Sequence, residues 1–307
     1  MALLLFDVPC GRPALGCADL VTRNPRDRQE QPTMLGPKDL VLSSGAIENP
    51  PVETLVEAAS AGGYRGITLW PGAYHPNHHP GCDPKELHAR CDGAGLVLHD
   101  LDAIVVWAGP DDPGAPYYEE ALEREVYEMA EALDVDGVTL LLHSSPVASV
   151  DAASAAFAAA CDRAAEHGLN VHLEFGRARV PSDIAEAARV VEQAGRANSG
   201  LMIDAWHVHW GSGSFADLMS LVGSRVTGVQ LCDAPETEPA DYGWATRHKR
   251  VVPGRGAADL RTLLRNLNAI GCEAPICLEV FDTSRVEEIG PIAWACELAD
   301  AARALLA

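Results

Sequence analysis

The sequence predicts a single α/β domain that folds as a closed (β/α)8 barrel. Eight short apolar segments, rich in Val, Leu and Ile and mostly without strict alternation, have the composition of parallel strands buried on both faces. An amphipathic or Ala-rich helical segment separates each strand from the next, and several of these segments end in glycine. Eight such units favour a closed barrel over an open doubly wound sheet. The GxGxxG motif of a dinucleotide-binding sheet does not follow the first strand.

The predicted barrel domain covers residues 37–307. Its strands are expected at roughly 40–44, 66–70, 96–100, 137–142, 170–174, 200–204, 226–231 and 275–279. Its helices are expected at 52–63, 84–95, 118–133, 151–167, 182–195, 214–222, 259–270 and 286–306. Residues 1–36 differ, because the stretch TRNPRDRQEQP within them is polar, contains two prolines and shows no period. We expect a flexible N-terminal leader there.

Charge and cysteine content limit the classes of partner and compartment. With 23 Lys and Arg against 44 Asp and Glu, the formal net charge is −21. Nucleic acid and anionic membranes need clustered basic residues, so neither is expected as a partner. The nine cysteines are odd in number and form no CxxC pair, which favours free thiols in a reducing cytoplasm. No apolar run approaches the roughly 18 residues of a membrane span.

Four oxygen-bearing side chains stand at the ends of four successive predicted strands: Glu174, Asp204, Gln230 and Glu279. In a closed barrel the C-terminal strand ends converge on one mouth, so these residues are expected to be neighbours. Carboxylates this close repel one another unless a cation lies between them. An all-oxygen set suits Mn²⁺ or Mg²⁺, with Co²⁺ as a further choice. The alternative for each carboxylate alone is that it caps the helix after its strand.

Other side chains near the strand ends are candidates for binding a substrate. His207 follows Asp204 by three residues, and Arg250 begins the turn RVVPGRG in the long connection after the seventh strand. Trp107 and His143 lie at or after the ends of the third and fourth predicted strands. A tryptophan offers a flat wall for a sugar ring, and His or Arg can bind a substrate oxygen. The alternatives are a solvated histidine, a surface arginine and ordinary packing of the tryptophan.

The ordered motifs resemble those of a known group. The segments LEFG (173–176), MIDAWH (202–207), VQLCDAP (229–235), RVVPGRG (250–256) and LEVF (278–281) are similar to the sugar phosphate isomerase/epimerase group of the xylose-isomerase-like TIM barrels, over about residues 38–305. The resemblance implies one divalent ion and assigns acid/base roles to the first and last glutamates, Glu174 and Glu279. It also implies that Asp204 is a ligand and that His207 and Arg250 contact substrate. Many sugar epimerases carry histidine in place of Gln230, whereas a glutamine is similar to some dehydroshikimate dehydratases.

The residues and the resemblance together predict a metal-dependent isomerase or epimerase. The expected substrate is a ketose, keto-sugar or keto-cyclitol, and Mn²⁺ is the first choice of ion. A bound ion would polarise the substrate carbonyl, and a nearby carboxylate would remove the adjacent proton. A lyase or dehydratase shares this first step and is the alternative, followed by a barrel that binds sugar without catalysis. Barrels of this group often form dimers or tetramers, so a homo-oligomer is a further expectation.

Overall fold

The computed structural model describes residues 35–77, 82–107, 120–143, 149–177 and 179–307. These residues belong to one compact unit, Leu35–Ala307. The predicted leader, 1–36, lies outside the described residues apart from its last two. No helix within the described ranges is long and apolar enough to cross a membrane.

Eight parallel strands form a closed barrel, as the sequence predicts. They are β1 (Leu40–Ser43), β2 (Gly66–Leu69), β3 (Val97–Trp107), β4 (Gly137–His143), β5 (Asn170–Glu174), β6 (Ser199–Asp204), β7 (Val226–Leu231) and β8 (Ile276–Leu278). The barrel closes where β8 pairs with β1, in the register Val41 to Cys277. The main difference from prediction is β3, which continues to Trp107 rather than ending near residue 100. This extension carries Asp102 to the level of the predicted ligand Gln230.

Helices surround the barrel and cap its mouth. They are α1 (Val52–Ala61), α2 (Pro71–Tyr74), α3 (Pro84–Gly93), α4 (Glu120–Ala132), α5 (Val150–Glu166), α6 (Ile184–Ala194), α7 (Ala205–Trp210), α8 (Tyr242–Ala245), α9 (Leu260–Ala269), α10 (Thr283–Ile289) and α11 (Pro291–Leu306). Short 3-10 helices occupy Ser44–Ile47, Phe215–Ser220 and Gly223–Arg225.

The structure differs from the predicted helices in two places. The segment predicted as a helix over 214–222 forms the 3-10 helix Phe215–Ser220, where the carboxylate of Asp217 accepts a hydrogen bond from the Ser214 backbone N–H. The helix predicted over 286–306 is two helices that meet at Gly290. Gly290 has a φ of 84°, and Pro291 follows it at the first position of α11. A left-handed glycine ends one helix, and proline suits the start of the next because that position needs no N–H partner.

A polar layer fills the barrel beneath the strand ends. His172, two residues before Glu174 on β5, places Nδ1 2.8 Å from the hydroxyl of Thr227 on β7. Since β5 and β7 are not neighbours, this contact crosses the barrel interior. Glycine makes room for it: a Cβ at Gly137 would lie 2.4 Å from His172 Nε2, and one at Gly200 would lie 2.1 Å from Thr227 Oγ1. Burial lowers the pKa of His172 to about 4, so the imidazole is neutral in the folded protein.

Candidate metal and active site

The structure brings the four predicted ligands to consecutive strand ends. Glu174 ends β5, and Asp204 ends β6 directly opposite Gln230 of β7. Glu279 follows β8 by one residue, and its backbone N–H donates to the carbonyl of Leu231. All four side chains are buried, with Gln230 and Asp204 each only 1% exposed. The predicted convergence at one mouth of the barrel therefore holds for these positions.

Asp204 positions the histidine that follows it. Its Oδ1 accepts a hydrogen bond from the backbone N–H of Trp206 at 2.8 Å, so α7 begins immediately after β6. The turn brings His207 Nε2 to 2.9 Å from Glu174 Oε1 and 3.6 Å from Asp204 Oδ2. On its other side, His207 Nδ1 lies 2.9 Å from the hydroxyl of Tyr242. Asp204 is thus both a helix cap and a site residue, and the two expectations are compatible.

His207 belongs to the carboxylate cluster itself. One ligand atom each from Glu174, Asp204 and His207 lies within 4.8 Å of the others, a spacing that a metal ion can bridge. The sequence predicts His207 as a substrate-binding residue. The geometry also makes it a candidate ligand, with Tyr242 fixing the orientation of its ring.

Gln230 supplies the strongest sign of a missing partner. Its Nε2 donates to Asp102 Oδ2 at 2.9 Å, and this bond crosses the barrel from β7 to β3. Its Oε1 is buried and has no hydrogen-bond partner in the part of the chain that the structure describes. A buried amide oxygen without a partner is costly, whereas a cation would satisfy it. The donor set therefore fits a divalent ion held by oxygen ligands.

Arg250 is the main counter-charge in the site. The side chain is 4% exposed, so it is not the surface arginine of the alternative interpretation. Its Nη2 lies 2.8 Å from Asp204 Oδ2, and its Nη1 lies 3.2 Å from both Glu279 Oε2 and the Glu279 carbonyl oxygen. The guanidinium packs 4.7 Å from the centre of the Phe281 ring. This arginine links two of the predicted ligands and offsets part of their charge.

Burial and the surrounding charges shift the pKa values of the two glutamates in opposite directions. Burial raises the pKa of Glu279 to about 7; Asp204 and Glu174 add to this, and Arg250 opposes it. Burial also acts to raise the pKa of Glu174. The hydrogen bond from His207 and the charges of His207, Arg179 and Arg250 outweigh it, so the net pKa is lowered. Paired carboxyl groups with separated proton affinities are typical of acid/base sites.

Asp102 also belongs to the site, although it is not among the predicted ligands and substrate-binding residues. Its pKa is raised well above the ordinary value, first by burial and then by the charges of Glu279 and Glu174. Asp102 lies in the extension of β3, beyond the predicted end of that strand. The polar run HDLD at 99–102 is the only sequence signal for it.

Trp107 and His143, two of the predicted substrate-binding residues, end β3 and β4. Their backbones pair in register at the mouth of the barrel. Their side chains lie outside what the structure describes, so their roles remain predictions.

A cavity of about 500 Å³ lies between the loop after β5 and the end of α7. Arg177 and Ser182 line it from the loop, and Trp210 lines it from α7. The predicted ligands do not line it.

Comparisons with known proteins agree with this architecture. Residues 56–305 match the family model described as xylose isomerase-like TIM barrel. A 3-dehydroshikimate dehydratase of Pseudomonas aeruginosa is 28% identical over 233 residues, which are 74% of this chain and 36% of that protein. An inosose isomerase of Bacillus velezensis is 33% identical over 122 residues, 39% of this chain and 42% of that protein. The solved structure of the IOLI protein with a bound zinc atom is 20% identical with a TM-score of 0.77, over 87% of this chain and 98% of that one.

The two curated relatives are named as enzymes, and the solved structure is described as binding a zinc atom. The chain covers 36% and 42% of the two curated relatives, less than half the length of either. The match to the family model covers most of the chain, from residue 56 to residue 305. The chain belongs to the xylose isomerase-like TIM barrel family.

Proposed function

We propose that this protein is a divalent-metal-dependent isomerase or epimerase that acts on a ketose, keto-sugar or keto-cyclitol. The observation that carries the proposal is the buried Oε1 of Gln230, which has no hydrogen-bond partner among the residues that the structure describes. Gln230 pairs in register with Asp204 and lies on a strand between those that present Glu174 and Glu279. The side chain is 1% exposed, so this oxygen needs a partner inside the site. A cation held by the surrounding carboxylates would supply one.

The residues that would hold the ion are Glu174, Asp204, Gln230 and Glu279, and His207 is a further candidate. All-oxygen coordination favours Mn²⁺, then Mg²⁺ or Co²⁺. When bound, the ion would polarise the substrate carbonyl and make the neighbouring C–H more acidic.

The two glutamates are suited to moving the substrate proton. Glu174 on β5 and Glu279 after β8 stand three strands apart in the barrel, so they approach a substrate from different sides. One carboxylate removes the proton next to the carbonyl to give an enediolate-like intermediate, and the other returns a proton. His207, held by Tyr242, binds a substrate hydroxyl, and Arg250 offsets negative charge that develops on the substrate oxygen.

A dehydratase is the second candidate. A 3-dehydroshikimate dehydratase matches 74% of this chain. In having glutamine at position 230, the chain also resembles some dehydroshikimate dehydratases. The reaction begins with the same proton abstraction and then expels water. The two functions therefore share the residues named above.

Incubation with a substrate panel in D₂O tests both functions. The panel contains an inosose, a free ketose, a ketose phosphate and 3-dehydroshikimate, each with Mn²⁺-loaded protein. NMR follows the products. Incorporation of deuterium next to the carbonyl without loss of water supports the isomerase or epimerase. A product that has lost one water molecule supports the dehydratase instead. Absence of exchange with the whole panel would contradict both and favour a sugar-binding barrel.

A further inference from the structure

The loop after β5 carries two arginines with different surroundings. Arg177 forms an ion pair with Glu238 and lies 5.4 Å from the centre of the Tyr242 ring. Arg179 has neither an ion pair nor a side-chain hydrogen bond among the described residues. Its Nη1 is buried and has no hydrogen-bond partner within the described ranges, while the residue as a whole is half-buried. Leaving a charged donor buried and unpaired is unfavourable, so its surroundings suggest a partner that is not part of the chain.

The loop folds back on itself, which directs Arg179 toward the site. The backbone N–H of Arg179 donates to the Gly176 carbonyl at 3.1 Å, and the Gly176 N–H donates to the Pro181 carbonyl at 3.3 Å. A Cβ built on Gly176 would lie 3.1 Å from His207 Nδ1 and 3.7 Å from Arg179 Cδ. The stem of Arg179 and the ring of His207 therefore flank the same glycine. The charge of Arg179 also acts on Glu174 and Tyr242, as expected of a cation at the mouth.

Arg179 differs from Arg250 in what its guanidinium already binds. Arg250 is occupied by Asp204 and Glu279. Among the described residues Arg179 stays unpaired, although the chain is rich in acidic side chains that could pair with it. A planar guanidinium with free N–H groups matches the two oxygens of a carboxylate or phosphate. Because Arg179 lies beside His207, a carboxylate or phosphate bound to its guanidinium would lie next to the proposed reaction centre.

We propose that Arg179 forms a subsite for an anionic group of the substrate, a carboxylate or a phosphate, so that the substrate is an anionic keto compound rather than a neutral sugar. The inference rests on the proposed function, because it places the reacting carbonyl at the ligand cluster and the anionic group at Arg179. It separates the panel compounds into those with a charged group and those without.

Anion binding tests the subsite without requiring turnover. Calorimetry measures the binding of inorganic phosphate and of cyclohexanecarboxylate to four metal-loaded proteins: wild type, Arg179→Gln, Arg179→Lys and Arg189→Gln. Arg189 is an exposed arginine on α6 and controls for the loss of one positive charge. We expect wild type and Arg189→Gln to bind one of the two anions equally well, and the preferred anion identifies the substrate group. Arg179→Gln should bind it roughly 10- to 100-fold more weakly, with Arg179→Lys between the two.

Two results would overturn the subsite. One is wild type that binds neither anion. The other is Arg179→Gln that binds as tightly as wild type, which would mean that the ion alone holds the anion. Circular dichroism and bound metal, measured on each variant, show that the fold is intact.

Deuterium exchange with the neutral inosose distinguishes the subsite proposal from the proposed function. If Arg179→Gln still catalyses deuterium exchange into the inosose but no longer prefers anionic compounds, both the proposed function and the anion subsite are supported. If no panel compound exchanges but the anion binds through Arg179, only the proposed reaction fails.

Discussion

Asp102 is predicted to fix the amide of Gln230 so that its oxygen faces the ion. The only observed partner of Gln230 Nε2 is Asp102 Oδ2, at 2.9 Å, within the described part of the chain. Replacing Asp102 with Ala removes this acceptor, and the amide is then free to turn its NH₂ group toward the site. An NH₂ group cannot ligate a cation, so the substitution should weaken binding of the ion while leaving every proposed ligand in place.

The expected loss follows from the role of such supporting hydrogen bonds. Residues that orient a ligand typically contribute about 10- to 100-fold to metal affinity. This corresponds to roughly 1.4 to 2.8 kcal/mol. Asp102→Asn keeps an acceptor oxygen at nearly the same position, so its loss should be smaller than that of Asp102→Ala. Asp151→Ala, on the exposed face of α5, is a matched control for the loss of one carboxylate.

Titration of metal-free protein with Mn²⁺ by calorimetry measures the effect directly. The rise in melting temperature on adding the ion gives a second readout, since a ligand stabilises the folded state in proportion to its affinity. The order of affinity should be wild type and Asp151→Ala first, then Asp102→Asn, then Asp102→Ala. Equal affinity of Asp102→Ala and wild type would refute the reasoning, because the amide would then need no support.

Three further predictions concern the acid/base pair and the barrel. Glu279→Gln should slow deuterium exchange by about 100-fold or more, since it removes a group that moves a proton; an unchanged rate would contradict its role. His172 stays neutral when folded, whereas its unfolded form gains a proton below about pH 6.5, so stability should fall by about 2 kcal/mol between pH 7 and pH 5. Urea unfolding at several pH values should show that His172→Gln lacks this part of the fall in stability. The same pH dependence in His172→Gln and wild type would contradict the role of His172. Glu123→Gln breaks the paired 2.9 Å bonds from Arg163 and should cost about 2 kcal/mol, less than a fully buried pair because Arg163 is partly exposed. Chemical unfolding measures that loss, and no change would mean that solvent already screens the pair.

The barrel could be predicted from sequence because its signals are local. Most strands are short apolar runs and each outer helix has its own period, so a run such as LVLS at β1 gives the element directly. Closure of the barrel then places the ends of β5 to β8 together, which is why the order of the strands alone groups Glu174, Asp204, Gln230 and Glu279. The predicted helix runs through Gly290 because the apolar pattern continues across it, although the pair Gly290–Pro291 is a local stop signal.

The finer features of the site depend on contacts between residues far apart in sequence. The bond from Gln230 to Asp102 spans 128 positions and exists only because β3 runs past its predicted end. The closeness of His207 to Glu174 depends on how tightly α7 turns after Asp204. That Arg179 Nη1 has no partner among the described residues depends on several neighbouring segments at once. No period or motif in a single sequence records such facts.

The central claim is that the strand-end cluster binds one divalent ion. Elemental mass spectrometry of protein purified without chelators tests it on wild type, on Glu174→Ala/Glu279→Ala and on the exposed control Glu192→Ala/Glu273→Ala. The account predicts about one Mn, Mg or Co per chain in wild type and in the control, and loss of the ion from the Glu174/Glu279 double variant. Wild type that contains no divalent metal and takes up none on titration would contradict it.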